Sequence, residues 1–161
     1  EWRSINPVGK VPAMSDGDLV MFESGAMVQY LVDRYGNGKL QPEIGTADHA
    51  LYLQWSWFAE ATFSRPLGEV VNHGREFPGD KQIPEVVEEM KNRASLSLDA
   101  VADEVANKEY LVANSFSAAD IMMGYTIMLA DRLLGKPLPK KILPYWERLS
   151  EREGYQIAQK A

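Results

Sequence analysis

The 161-residue sequence predicts a small α/β portion followed by a larger all-α portion. Glycines and prolines separate short apolar stretches over residues 1–38, a pattern typical of strands and turns. Helical periodicity dominates residues 46–161. Between them, residues 39–45 contain Pro42 and Gly45 and are predicted to form a linker.

The first portion is predicted to be a β-β-α unit. Strand-length apolar segments at 11–14 and 19–21 flank the turn-forming residues 15–18, which predicts a β-hairpin. Apolar residues at helical spacing predict a helix over 24–35, with Ser24 as its N-cap. A two-stranded unit of this size buries too little apolar surface to fold alone.

The second portion is predicted to be wholly helical. Its helices are expected at 47–71, 84–106, 118–134 and 143–152, with a short one after Gly154. Pro66 predicts a kink late in the first of them. Residues 72–82 are predicted to form a polar loop.

The helix at 118–134 carries the strongest start signal. Ser117 and Asp120 occupy the two positions of a capping box, and Phe116 and Ile121 those of a hydrophobic staple. Caps of this kind stabilise by about 1 kcal/mol. A catalytic role for Asp120 is the alternative, but the capping spacing favours the structural one. Residues 121–130 are apolar nearly all round, which predicts a helix buried at the centre of its domain.

Charge and composition exclude several classes of function. The formal net charge is −6, which argues against nucleic-acid and anionic-membrane binding. Without cysteine there are no disulfides or thiolate metal ligands, and two distant histidines argue against a zinc site. No signal-peptide pattern or apolar run of about 18 residues is present. We therefore expect a cytoplasmic protein that binds no metal, nucleic acid or membrane.

The first candidate site is the run from Asn6 to Pro12. A trans Val11–Pro12 bond at the start of a strand is the ordinary interpretation, because only about 5–6% of X-Pro bonds in folded proteins are cis. If the bond were cis, the chain would turn sharply. The backbone N–H and C=O of Val11 could then face a peptide-like ligand, as a strand edge does.

The second candidate site is Glu23-Ser24, at the mouth of the first helix. Unpaired N–H groups and a serine hydroxyl there attract a carboxylate, while Glu23 can hold an ammonium group. Together they could grip the zwitterionic head of an amino acid. The alternative is that Ser24 only caps its own helix and Glu23 is solvated, since capping serines are common.

Four segments resemble the glutathione transferase family, especially its bacterial cytosolic members. They read NPVGKVPAM, ESGAMVQYLVDRYG, WSWFAEATFSRPL and FSAADIMMGY, in the family's order along essentially the whole chain. The resemblance implies the C-terminal half of a thioredoxin-like domain (β-β-α), followed by a glutathione-transferase-type helical bundle. It also implies a homodimer.

The resemblance also implies roles for single residues. Pro12 would be the family's cis-proline, and Val11 would pair its backbone with the cysteinyl part of glutathione. Glu23 and Ser24 would bind the γ-glutamyl head, and Lys10 would approach the glycyl carboxylate. Glutathione would be a co-substrate, its thiol activated by hydrogen bonding for attack on an electrophile.

Family members begin with a strand, a helix and a further strand, and their thiol-activating Tyr, Ser or Cys lies near that start. This sequence begins with Glu1, at about the link to the proline-bearing strand. No catalytic residue of this chain is therefore assigned. We expect either that further residues precede Glu1 in the full protein or that the chain is an incomplete relative.

An electrophile pocket would lie between the two domains. Trp57, Ala61, Ser64 and Arg65 share a helix face by their spacing, and Tyr125 could approach from the later helix. Core packing or a subunit contact is the alternative for both aromatic residues, and solvation is the alternative for Arg65.

The sequence thus predicts a glutathione transferase, active in its full-length form, that detoxifies a small hydrophobic electrophile. One alternative is a non-catalytic protein-interaction module of the same fold, and another is a glutathione-binding protein of redox type. The Glu23-Ser24 pair favours the transferase over the interaction module, because a module that only assembles with other proteins needs no site for an amino acid.

Overall fold

The computed structural model describes residues 2–160, so Glu1 and Ala161, at the ends of the two predicted domains, lie outside the described residues. The strands are β1 (Ala13–Asp16) and β2 (Leu19–Phe22). The helices are α1 (Ser24–Tyr35), α2 (Ala47–Trp57), α3 (Arg65–Glu76), α4 (Pro84–Val105), α5 (Ala118–Leu133), α6 (Leu143–Ser150) and α7 (Glu153–Ala158). The predicted order of β-β-α followed by helices is confirmed.

The β-hairpin starts two residues later than predicted. β1 begins at Ala13, so Pro12 precedes the strand instead of opening it. The strands pair antiparallel from Ala13 with Phe22 to Asp16 with Leu19, which leaves a two-residue turn. Gly17 takes the first turn position at φ 58°, a conformation that a side chain would strain.

The predicted helix over 47–71 contains a break and extends further than expected. A π-helical segment, Phe58–Ser64, separates α2 from α3, and Pro66 lies within the first turn of α3. The prediction of a loop from residue 72 was wrong, because the helix continues to Glu76. A tertiary contact supports this extension: the Ile83 backbone N–H donates to His73 Nε2 at 2.9 Å.

Helix α5 lies at the centre of the helical portion, as predicted. Its inner face is buried against the π-helical segment and α3, α4 and α6. The fully buried side chains of this core include Tyr52, Phe63, Leu67, Leu98, Ile127 and Tyr145. The expectation that α5 is buried all round was wrong, because Ile121 is 44% and Tyr125 58% exposed. Both lie on one side of the helix, at i and i+4.

A polar network joins α1 to the segment that follows it and to α2. The Gln29 amide donates to Asp33 Oδ1 at 2.8 Å and to Gln41 Oε1 at 2.9 Å. The Tyr52 hydroxyl donates to Gln29 Oε1 at 2.7 Å. The first amide of α5, Ala118 N–H, donates to the carbonyl of Leu40, between α1 and α2, at 2.8 Å. These bonds fix the mouth of α1 relative to the helical portion.

Within residues 2–160, none of the helices combines the length and the apolar character that crossing a membrane requires.

Candidate functional site

The hairpin register brings the two candidate sites of the sequence analysis together. Ala13 pairs with Phe22 at the open end of the hairpin, opposite the turn. Pro12 directly precedes Ala13, and Glu23 directly follows Phe22, so both lie one residue beyond that pair. Neighbouring strands lie about 4.8 Å apart, which places the proline and the glutamate side by side.

The Val11–Pro12 peptide bond is cis. The family resemblance implied this isomer, whereas the sequence spacing alone favoured trans. Val11 is 76% exposed. Its backbone N–H and C=O make no hydrogen bond to another described residue. An open donor and acceptor on one exposed residue can pair with an extended peptide.

Glu23 has a backbone conformation that is rare for a residue with a side chain. Its φ is 76° and its ψ 104°, and such positions cluster at functional sites. The Glu23 carbonyl accepts the first helical bond, from Met27 N–H at 3.0 Å. Glu23 is therefore the N-cap of α1, and the prediction that Ser24 caps the helix was wrong.

Because Ser24 is the first helical residue, its hydroxyl is not used as a cap. The hydroxyl makes no hydrogen bond to a described residue, and neither do the backbone N–H groups of Ser24, Gly25 and Ala26. Three free N–H groups at the positive end of a helix attract an anion. The hydroxyl adds a fourth donor next to them.

Glu23 and Lys10 are the two charged side chains of the candidate site. Within the described part of the chain, neither the Glu23 carboxylate nor the Lys10 ammonium makes an ion pair or a side-chain hydrogen bond. A carboxylate beside free N–H groups matches a zwitterion, since it can hold the ammonium while the N–H groups hold the acid. Residues 2–160 contain no cluster of three His, Cys, Asp or Glu side chains that could hold a metal ion.

A cavity of about 580 Å³ opens beside the helix mouth, between α1, α2 and α5. Glu23 and Gly25 line it on one side, and Trp57 and Met122 line it on the others. Trp57 is 66% exposed, so its indole presents an apolar surface to this cavity. A ligand held at Glu23 can therefore extend an apolar group towards Trp57.

The five residues predicted for an electrophile pocket do not line a single cavity. Trp57 lines the cavity beside Glu23, whereas Ala61 and Arg65 line one of about 880 Å³ between α3 and α4. Tyr125 lines a third cavity, of about 790 Å³, beside α7, and Ser64 lines none of these three. The cause is the π-helical segment, whose wider turns rotate the later residues away from the face that α-helical spacing predicts.

The side chain of Asn6 was not predicted to matter, yet it is only 3% exposed. It donates from Nδ2 to the Lys10 carbonyl at 2.8 Å and accepts from Val8 N–H at Oδ1 at 3.1 Å. The Asn6-Pro7 dipeptide followed by Gly9 could have indicated this role, because an asparagine side chain in a turn commonly makes a hydrogen bond to the backbone two residues later.

Asp16 is the second residue that the sequence did not single out. Its Oδ2 accepts from the Tyr35 hydroxyl at 2.5 Å and from the Tyr30 hydroxyl at 2.7 Å, and Arg34 Nε lies 3.3 Å away. The hydrogen bonds from Tyr35 and Tyr30, assisted by the Arg34 charge, hold the pKa of Asp16 below its ordinary value. These contacts fasten the tip of the hairpin to the last turns of α1.

Comparison with known proteins gives one family throughout. The family described as "Glutathione S-transferase, N-terminal domain" matches residues 1–33. Glutathione S-transferase 3 of Schizosaccharomyces pombe is 28% identical over 98% of this chain and 69% of its own length. Glutathione S-transferase F10 of Arabidopsis thaliana is 24% identical over 96% of this chain and 75% of its own.

The solved structure of the glutathione transferase URE2P8 from Phanerochaete chrysosporium, with oxidised glutathione, agrees in three dimensions. It superposes with a TM-score of 0.84 at 26% identity, over 98% of this chain and 74% of its own. The chain is therefore similar to glutathione S-transferases in sequence over nearly its whole length, and in fold. The chain thus spans about seven-tenths of the length of these relatives.

A further member of the fold, Ure2p5 of Phanerochaete chrysosporium, was crystallised with 1-(S-glutathionyl)-2,4-dinitrobenzene. It superposes with a TM-score of 0.86 over 98% of this chain and 77% of its own. At 21% identity it shows that the family's fold is present here, in the arrangement that the β-β-α unit and the helices above describe.

Proposed function

We propose that this chain binds glutathione at the open end of its hairpin and serves a glutathione transferase that conjugates the thiol to a small electrophile. The single observation that carries the proposal is the juxtaposition of three groups without a hydrogen-bond partner within residues 2–160. They are the Val11 backbone, the N–H groups at the start of α1, and the Glu23 carboxylate. Similarity to glutathione S-transferases supports the choice of glutathione over other peptides.

Each part of the tripeptide has a proposed partner. The γ-glutamyl carboxylate would accept from Ser24 and the free N–H groups of α1, and its ammonium would lie against Glu23. The cysteinyl N–H and C=O would pair with Val11, next to the cis-proline Pro12. Lys10 would balance the glycyl carboxylate.

Conjugation needs the thiol as thiolate, because the thiolate is the nucleophile. With a 1-halo-2,4-dinitrobenzene, the sulfur would form a bond to the ring carbon that carries the halogen, and halide would leave with the bonding pair. No residue of this sequence is assigned the role of activating the thiol. The residues here bind and orient the tripeptide, and Trp57 offers an apolar wall to the electrophile.

Calorimetry tests the binding part of the proposal. We expect the chain to bind glutathione and Glu23→Ala to bind it about ten- to a hundredfold more weakly, because a charge-assisted contact is lost. Glu88→Ala is the matched control, since Glu88 is exposed on α4 and has no ion pair within residues 2–160. Equal affinity for Glu23→Ala and Glu88→Ala, or no heat with the parent chain, would contradict the proposal.

The conjugation part is tested on the full-length protein with 1-chloro-2,4-dinitrobenzene, followed by the absorbance of the conjugate. A folded, glutathione-binding protein that forms no conjugate with this or related electrophiles would favour the protein-interaction module instead. We further propose the division at residues 39–45 and a metal-free, cytoplasmic protein, as the composition predicts, and a homodimer, as the resemblance implies. Sedimentation with and without a chelator tests the assembly.

A further inference from the structure

The loop before Pro12 is organised around one buried amide. Asn6 is buried although its neighbours in the loop are exposed. Its side chain bonds to Val8 N–H and to the Lys10 carbonyl, and its own carbonyl accepts from Gly9 N–H at 2.8 Å. Gly9 reaches this bond at φ 69°, a left-handed conformation that favours glycine. Asn6 therefore closes the loop onto itself.

The Lys10 carbonyl is held from two directions. Asn6 Nδ2 donates to it at 2.8 Å, and the Trp2 indole Nε1 donates to it at 3.2 Å. This carbonyl belongs to the same planar peptide unit as the N–H of Val11. In a trans peptide the C=O and the following N–H point in opposite directions. Holding the carbonyl inside the loop therefore aims the Val11 N–H out of it, where it has no partner among the described residues.

We infer that Asn6 is a positioning residue for ligand binding: it fixes the Lys10–Val11 peptide plane and so aims the Val11 N–H at the cysteinyl carbonyl of glutathione. The inference rests on the proposed function. It differs from a purely structural role for Asn6, which would hold the loop together without any specific effect on the Val11 donor.

An Asn6→Asp variant separates these roles because its chemistry changes with pH. The ionised carboxylate keeps the acceptor for Val8 N–H but has no donor for the Lys10 carbonyl and repels it. The protonated acid regains an O–H donor and keeps an acceptor, which restores both contacts. Burial raises the pKa of a carboxyl in such a position, so protonation occurs within an accessible pH range.

At neutral pH we expect Asn6→Asp to bind glutathione about tenfold more weakly than the parent, since the Val11 N–H no longer points at its acceptor on the ligand. The deficit should shrink as the pH falls towards about 5, where a carboxyl with a raised pKa takes up its proton. Asn6→Ala lacks both contacts at every pH, so its deficit should stay constant. A deficit that is equally independent of pH in Asn6→Asp would overturn the inference.

Amide NMR supplies a readout that a structural role would not move. In the parent, added glutathione should shift the amides of Val11, Ser24 and Gly25. In Asn6→Asp at neutral pH, saturating glutathione should still shift Ser24 and Gly25 but should leave Val11 nearly unchanged. Parental affinity with a parental Val11 response, or equal loss of response at Val11 and Ser24, would overturn the inference.

Trp2→Phe provides a second variant if Asn6→Asp loses its dispersed spectrum. It removes the indole donor and keeps an aromatic ring at a position that is 41% exposed. We expect an affinity loss of about two- to fivefold, smaller than that of Asn6→Asp because the weaker donor is removed, with the Val11 response reduced selectively. If Trp2→Phe bound glutathione with the affinity of the parent and showed the same Val11 amide shift, the inference would be overturned. Absence of glutathione binding by the parent would instead refute the proposed function itself.

Discussion

Replacing Asp120 by alanine tests whether this residue only caps α5 or holds three segments together. Asp120 is 0% exposed. Its Oδ2 accepts from the Ser117 N–H at 2.8 Å and from the Ser117 hydroxyl at 3.1 Å, so the predicted capping box is present. Its Oδ1 accepts from the Leu111 N–H at 3.0 Å and from the Tyr145 hydroxyl at 2.8 Å. Asp120 thus joins the preceding loop, the start of α5, and α6.

The number of buried donors sets the expected magnitude. Asp120→Ala leaves the N–H groups of Leu111 and Ser117 and the Tyr145 hydroxyl without an acceptor, at about 1–3 kcal/mol each. Relief from burying a carboxylate without a cation offsets part of this loss. We therefore expect a loss of about 3–5 kcal/mol in the free energy of unfolding, against about 1 kcal/mol for a cap alone.

Urea denaturation followed by tryptophan fluorescence measures this loss as a lower midpoint with an unchanged slope. Asp131→Ala is the matched control, because Asp131 lies exposed near the end of the same helix. It should change the free energy of unfolding by about 0.5 kcal/mol or less. In the Asp120→Ala background, Tyr145→Phe should be neutral or stabilising, since it removes an orphaned hydroxyl.

A loss of about 1 kcal/mol for Asp120→Ala would refute the network and leave only a cap. Strict additivity of Asp120→Ala and Tyr145→Phe would refute the direct coupling between α5 and α6.

Two further outcomes depend on pH. Burial and then the Asp120 charge raise the pKa of Tyr145 well above its ordinary value. The unfolded chain releases this proton near pH 10 and the folded chain does not, so the free energy of unfolding of the parent should fall above about pH 10, by up to about 1.4 kcal/mol per pH unit. The fall should be less steep in Tyr145→Phe. Equal slopes for the two proteins in urea denaturation at alkaline pH would contradict this. Asp16, whose pKa is lowered by Tyr35 and Tyr30, should hold the hairpin tip above about pH 4 and release it as the pH falls further. Hairpin amide shifts should show that transition in the parent but not in Asp16→Ala, and an identical transition in both would rule out this role for Asp16.

Much of the candidate site could be predicted from local pattern and family resemblance. The hairpin was predicted from its turn, but its register, which places Pro12 and Glu23 at the same end, came from the structure. The cis bond came only from the resemblance, because its isomer depends on packing that spacing does not encode. The conformation of Glu23 could not be predicted either, since a positive φ in a glutamate persists only where the surroundings impose it.

The residues that shape the site were harder to predict than those that form it. Asp16 matters because α1 packs beside the hairpin and places Tyr30 and Tyr35 over it, 14 and 19 residues later in the chain. The predicted electrophile pocket relied on α-helical spacing from Trp57 to Arg65. The π-helical segment Phe58–Ser64 changed that spacing, because a π-helical turn contains more residues than an α-helical turn.

The sequence by itself determined the order of the elements and several of their limits: the hairpin turn at Gly17, helix α1 between its limits, and the start of α5 at Ser117. These features arise from interactions within a few residues, which composition and spacing record directly. Only the tertiary structure decided where the helix mouth lies relative to α2, which face of α5 stays exposed, and how Lys10 and Val11 are oriented. Those outcomes depend on side chains brought together from distant positions in the chain or on the burial of the Asn6 side-chain amide. Neither produces a periodic pattern in the sequence.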